Sequence, residues 1–195
     1  MGPKAERQES VTVRDAIDQR RAYRSLERTA ITGETLQALI SAASLAPSCF
    51  NNQPWRYVFV HDASALSALS GVFSAGNEWA RNASMVIAVL CDRNDDCVIK
   101  GREYYLFDSG LSAAFLILRA TEMGLVAHPI AGFDEAKAKA ALAIPDNFRL
   151  ITLIIVGKHS SSMDPVLSDK QVSAEKERPA RLPHQDIAFM NRYGG

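Results

Sequence analysis

Residues 46–55 read Ala46-Pro47-Ser48-Cys49-Phe50-Asn51-Asn52-Gln53-Pro54-Trp55. Two prolines and two asparagines in ten positions punctuate the backbone, so the stretch is a loop rather than a helix or strand. Between them stand a hydroxyl, a thiol and three side-chain amides, with an aromatic ring at the end. Such groups suit hydrogen bonding to a planar heteroaromatic ligand rich in carbonyls and ring nitrogens. The plain alternative is a turn whose polar residues serve only the backbone. Upstream, Thr32 can cap a helix in which Leu36, Leu39, Ile40 and Ala43 recur at three- and four-residue spacing, and which stops before Pro47. Downstream, Arg56–His61 has strand character. Asp62 can cap a helix running through Leu66 and Leu69 to Gly71 or Gly76. Ser84–Cys91 is a continuous apolar run of strand length, the mark of a strand covered on both faces.

Further out, Thr12 and Asp15 stand at capping-box spacing ahead of a short helix towards Gln19. Residues 103–122 form the longest helix candidate. Leu106, Phe107, Leu111, Ala114, Phe115, Leu118 and Ala120 leave it apolar nearly all round, so it needs cover on most sides, as a central helix or a subunit interface. Gly110, Ser112, Ala113 and Ala114 would let a partner helix approach closely. Gly124 ends it. Val126–Ile130 is a short strand, 134–143 a small amphipathic helix, and Phe148–Val156 the strongest strand. After Gly157 come Ser160-Ser161-Ser162, Pro165, Pro179 and Pro183 among charges, an arm too polar to make its own core. The order is α-α-β-α-β-α-β-α-β-tail.

The 195 residues favour one domain, with 1–10 a flexible lead-in, 11–195 the domain and the arm starting at about 158. An apolar fraction of 47% supports a sizeable core, and 22 basic residues balance 22 acidic ones. Zero net charge speaks against nucleic acid or an anionic membrane as partner. The apolar runs fall short of a membrane span, and the polar start lacks a secretory leader. The expected location is therefore the cytoplasm. Cys49, Cys91 and Cys97 cannot all pair within one chain, and there they read as reduced thiols. The sequence contains no G-x-G-x-x-G, no P-loop, no G-x-S-x-G and no zinc-ligand spacing.

Four constellations could carry chemistry. Arg20-Arg21-Ala22-Tyr23-Arg24 places three guanidiniums within five residues, a natural phosphate grip or else a solvated helix end. The 46–55 loop is the second. Pro129-Ile130-Ala131-Gly132-Phe133 follows a strand, and Gly132 suits a close approach by backbone or ligand, or a plain turn. Lys176-Glu177-Arg178-Pro179 would, if extended, turn Lys176 and Arg178 to one side, either to complete an anion site or to meet solvent.

Taken together and in order, these pieces resemble the nitroreductase family of FMN-dependent oxidoreductases. The matching residues are Arg20-Arg21-x-x-Arg24, Ala46-Pro47-Ser48-x-x-Asn51-x-Gln53-Pro54-Trp55, Pro129-Ile130-x-Gly132-Phe133 and Lys176-x-Arg178. The long apolar helix ending in Glu122-Met123-Gly124-Leu125 looks like the family's central helix. The resemblance spans roughly 12–180. It implies an α+β three-layer sandwich, with a mixed, mostly antiparallel sheet flanked by helices and the long apolar helix at a homodimer interface.

It also implies FMN as cofactor. Arg20, Arg21 and Arg24 with Lys176 and Arg178 would grip its phosphate and ribityl chain, next to Ala22. Pro47, Ser48, Cys49 and Asn51 of the partner subunit would touch the ring, and the N–H groups of Ala131 and Gly132 would face its reactive edge. Asn77 and Arg81 are further candidates. Many members carry Ser at the positions of Ala22 and Cys49 and an acidic residue at that of Ala131. The implied activity is hydride transfer from NAD(P)H through flavin to a nitroaromatic, quinone or enone, by a ping-pong mechanism without an essential side-chain acid or base. Nicotinamide would be held by stacking on the flavin. The alternatives are a reductive dehalogenase or flavin-destroying enzyme on the same fold, and a flavin-binding or flavin-free scaffold dimer.

Overall fold

The computed structural model describes residues 11–194, so the expected lead-in over 1–10 lies outside the described residues. The chain starts with α1 (Val13–Gln19), whose Thr12 and Asp15 form the expected reciprocal cap. β1 (Leu26–Glu27) and α2 (Gly33–Ser44) follow, and the Thr32 hydroxyl accepts from the Thr35 N–H at 3.1 Å to start α2. Next come β2 (Trp55–Val60), α3 (Ala63–Ala68) and β3 (Met85–Asp92). Asp62 precedes α3 as expected but makes no side-chain cap bond. The polar connection after β3 holds a small hairpin of β4 (Val98–Ile99) and β5 (Arg102–Glu103). α4 (Tyr105–Glu122) is the long helix. β6 (Val126–Ile130), α5 (Glu135–Ala141), β7 (Phe148–His159), α6 (Asp169–Lys176) and α7 (His184–Ile187) complete the order. β7 thus runs three residues past Val156, into the expected arm.

β7 and β3 are the sheet's spine. β3 pairs with β7 and β2, and β6 and β1 pair with β7. Every one of these pairings is antiparallel, so only the antiparallel part of the expected mixed sheet is found among the described residues. Period-two alternation splits each central strand between two cores. Met85, Ile87 and Val89 of β3 join Leu39 and Ala43 of α2 and Leu116 and Ala120 of α4. Val86, Ala88 and Leu90 point the other way, to Leu69, Val72, Trp79 and Ala138. The continuous apolar run of β3 follows from this, because both faces are covered and the result is three layers. Each fully buried Leu or Ile contributes about 1.5–3 kcal/mol relative to exposure.

α4 shows why it is apolar nearly all round. Ser112 and Ala113 face α2, and the Ser112 hydroxyl donates to the Ala43 carbonyl at 2.9 Å. The small-residue expectation is met by α2 on that side, whereas Gly110 and Ala114 stay exposed. On the opposite side Leu106, Phe107 and Phe115 are exposed, Phe107 at 62%. Gly124 ends the helix in the left-handed region at φ +74°, where only glycine is unstrained. The Leu125 N–H then reaches back to the Ala120 carbonyl at 2.8 Å.

The cysteine expectation is corrected. Cys49 and Cys97 form a disulfide with Cα atoms 6.3 Å apart, and Cys91 is free and buried. The sheet register supplies the reason: Trp55 faces Cys91 across β2–β3, so Cys49 and Cys97 each lie six residues outside that pair. Two loops distant in sequence therefore leave the same end of the sheet. Burial raises the remaining thiol of Cys91 to about 11, so it stays protonated and inert at neutral pH.

Candidate functional site

The N-terminal arginines meet the C-terminal segment. Arg20, Arg21, Ala22 and Arg24 follow α1, and they line a cavity of about 120 Å³ with Ala174, Arg178, Pro179 and Arg181. Five guanidiniums from two ends of the chain thus surround one small space, with no carboxylate among the lining residues. The Arg21 guanidinium donates to the carbonyls of Ala174 (2.8 Å) and Glu175 (3.2 Å), docking α6. The Arg178 guanidinium donates to the Asp18 carbonyl at 2.5 Å. Burial lowers the pKa of Arg20, and repulsion from Arg178, Arg181 and Arg21 lowers it further. An anion in the cavity would relieve that repulsion, and guanidinium forks match phosphate oxygens.

Two details depart from the sequence reading. Lys176 ends α6 exposed and does not line the cavity, because the helix turns it away from Arg178. Arg181 takes a place at the cavity that the sequence reading did not assign. Its spacing from Arg178, three residues with Pro179 between, was the available signal.

Beneath the arginines lies an aromatic layer. The Arg24 guanidinium sits 6.0 Å from the ring of buried Trp79, and Trp79 stacks on His128 at 4.7 Å. His128 is 7% exposed, and its Nδ1–H faces the Tyr23 carbonyl at 3.1 Å. Burial lowers its pKa to about 4, with Arg24 and Arg20 pushing the same way and the Tyr23 carbonyl opposing. The unfolded chain accepts this proton near pH 6.5, but the folded chain accepts it only near pH 4. His128 therefore stabilises the fold fully above the unfolded pKa, and that contribution is lost as pH falls towards the folded one, by about 3 kcal/mol. Urea titrations from pH 7 to pH 4 should show this loss in the wild type and a flatter profile in His128→Asn. Equal slopes in the two proteins would contradict the assignment.

The 46–55 loop lies elsewhere on the chain. Pro47, Ser48 and Cys49 line a broad depression of about 460 Å³ with Phe50, Ile99, Tyr104, Phe107, Asp108 and Leu111. A short 3₁₀ turn spans Cys49–Asn51. Phe50, Asn51 and Gln53 have φ of +49°, +58° and +49°. Left-handed non-glycine residues cost roughly 1–3 kcal/mol each and persist where surrounding contacts over-determine them. Here the Cys49 N–H donates to buried Asp108 at 2.6 Å, and the Gln53 N–H donates to the Ser48 hydroxyl at 3.0 Å. The Ser48 O–H keeps its own hydrogen to donate. Burial raises the Asp108 pKa, against the opposing Cys49 N–H bond. Asp108, absent from the sequence reading, holds this loop from α4. Asn51 is exposed and does not line the depression.

Ala131 and Gly132 follow β6. The Gly132 carbonyl accepts from the Ser74 N–H at 3.1 Å and the Asn77 amide at 3.0 Å. A Cβ on Gly132 would lie 2.4 Å from that amide nitrogen, so any side chain there would displace the Asn77 amide. Arg81 lines a different cavity with Arg28, on the α3 side. The structure therefore brings Asn77 to the 131–132 segment and takes Arg81 away from the five-arginine cavity. Within one chain, that cavity and the 46–55 depression share no lining residue.

No helix among the described residues is long and apolar enough to cross a membrane. A provisionally named NADH dehydrogenase/NAD(P)H nitroreductase of Archaeoglobus fulgidus is 27% identical over 163 residues, covering 80% of this chain and 91% of its own. The 5,6-dimethylbenzimidazole synthase of Rhodospirillum rubrum is 26% identical over 171 residues, covering 73% and 80%. A crystallised oxidoreductase containing FMN superposes with a TM-score of 0.79 at 28% identity, covering 100% of both chains. The sequence pattern of the nitroreductase family matches residues 17–77 and 72–158. With its α+β sandwich, the chain belongs to the nitroreductase family, whose members are oxidoreductases.

Proposed function

We propose that the protein is a homodimeric FMN oxidoreductase that takes hydride from NAD(P)H and delivers electrons to a small nitroaromatic, quinone or enone. The observation that carries this reading is the five-arginine cavity, where a half-buried guanidinium is crowded by three others and no acid lines the wall. A phosphate dianion answers that charge pattern better than water does. FMN, when bound, accepts hydride at its ring and releases electrons to the acceptor. Arg20, Arg24 and Arg178 hold its phosphate. Arg21 docks α6 and closes the cavity. Asn77 holds the Ala131-Gly132 backbone against the ring edge.

Pro47, Ser48, Cys49 and Asn51 reach the ring from the partner subunit. The exposed apolar side chains Val13, Ile17, Leu45, Phe50, Leu106, Phe107 and Phe115 support a second copy. So many large apolar groups left in water are unusual for a monomer. Having no dinucleotide fingerprint, the chain binds the donor over the flavin, where the acceptor later binds. Donor and acceptor then exclude each other. Initial rates at varied donor and quinone concentrations should give parallel double-reciprocal lines. Intersecting lines, or no turnover, would overturn the shared pocket.

A further inference from the structure

Glu175 is the most deeply buried acid near the arginines, and the phosphate reading gives it no part. Its side chain is 3% exposed. A carboxylate so placed is costly unless hydrogen-bonded. One oxygen accepts the Arg24 N–H at 2.6 Å, and the other accepts the Ser25 N–H at 3.3 Å and lies 3.6 Å from the His159 ring nitrogen. The backbone carbonyls of Ala174 and Glu175 meanwhile receive the Arg21 guanidinium. His159 stacks on Tyr23 at 3.7 Å, and the Arg21 guanidinium lies 4.8 Å from that ring. One residue of α6 thus fixes the backbone origin of Arg24, shares in anchoring Arg21, and stands three positions before Arg178.

We propose that Glu175 is the positioning residue of the phosphate cavity: by pinning segment 21–25 to the end of α6, it sets the spacing of arginines from the two ends of the chain and so makes the site select flavin bearing a 5′-phosphate over flavin without one. The proposal rests on the phosphate reading above. Guanidinium recognition of phosphate depends on paired geometry, so loss of the pin weakens the phosphate contacts while leaving the ring contacts in place.

The test titrates flavin-free, full-length protein with FMN and with riboflavin, which lacks the phosphate. The wild type should bind FMN at least about 100-fold more tightly, as expected for several charge-assisted bonds. Glu175→Ala should weaken FMN about 30-fold and leave riboflavin within about 3-fold, because the unmade bonds are those around the phosphate grip. Glu175→Gln keeps the shape and one carbonyl acceptor, and should fall between the two. It also carries the test if the alanine variant does not fold. Parallel weakening of both flavins would make Glu175 a general fold contact and overturn the proposal, as would an unchanged FMN preference in both variants. Equal binding of the two flavins by the wild type would overturn the phosphate reading itself, and the proposal with it.

Discussion

Replacing Arg20 and Arg24 together by alanine should yield a folded protein that purifies without flavin. Both side chains line the same cavity, and Arg20 already suffers the repulsion of its neighbours. Hydrogen bonds to charged groups are worth about 1.5–3 kcal/mol each, so removing two arginines should weaken FMN by about 10²–10⁴-fold. Fluorescence titration of the reconstituted variant measures this directly. The far-ultraviolet circular dichroism should match the wild type, since both truncated groups line the cavity and belong to no helix or strand. Undiminished flavin retention in the double variant would place the phosphate somewhere other than this cavity.

The second large effect concerns the sheet. Leu153 and Ile154 are adjacent on β7 and both fully buried, yet they belong to opposite cores. Leu153 packs with Leu69, Trp79 and Ala138, and Ile154 with Leu39, Ile87 and Leu116. Truncation of either to alanine removes buried apolar area and leaves a cavity, at about 2–5 kcal/mol each. Against a total stability of about 5–15 kcal/mol, the double variant should lose the greater part of its stability, about 4–10 kcal/mol. Urea denaturation of the single variants measures the two layers separately. A loss below about 1 kcal/mol at either position would mean that face of β7 is uncovered, against a three-layer arrangement.

Much of this architecture is legible in the sequence because local signals and global packing agree. The reciprocal Thr12/Asp15 cap, the Thr32 cap and the Gly124 stop each act within a few residues, and each appears where the spacing places it. The continuous apolar run of β3 announces its two covered faces for a similarly local reason. What the sequence does not display depends on register. The Cys49–Cys97 bridge follows from Trp55 facing Cys91, and cysteine counting cannot supply that alignment.

The same limit governs the site. Arg20, Arg21 and Arg24 are conspicuous as a cluster, but their meeting with Arg178 and Arg181 needs the turn after α6, which also takes Lys176 out of the cavity. An extended reading of 176–178 puts both basic residues on one side, and the last turn of α6 undoes it. Asp108 and Glu175 were hidden because each sits in an ordinary helical pattern. Only the tertiary fold shows that a backbone N–H from a distant loop ends on each carboxylate.

The central claim is that the arginine cavity holds the phosphate of a working flavin. The most direct test is the visible absorption spectrum of the purified protein, before and after anaerobic addition of NADPH and NADH. The account predicts a flavin spectrum that bleaches with at least one donor and returns when a quinone is added. A colourless protein that takes up no added FMN would contradict it, and would leave a family member that keeps the fold as a scaffold without the flavin.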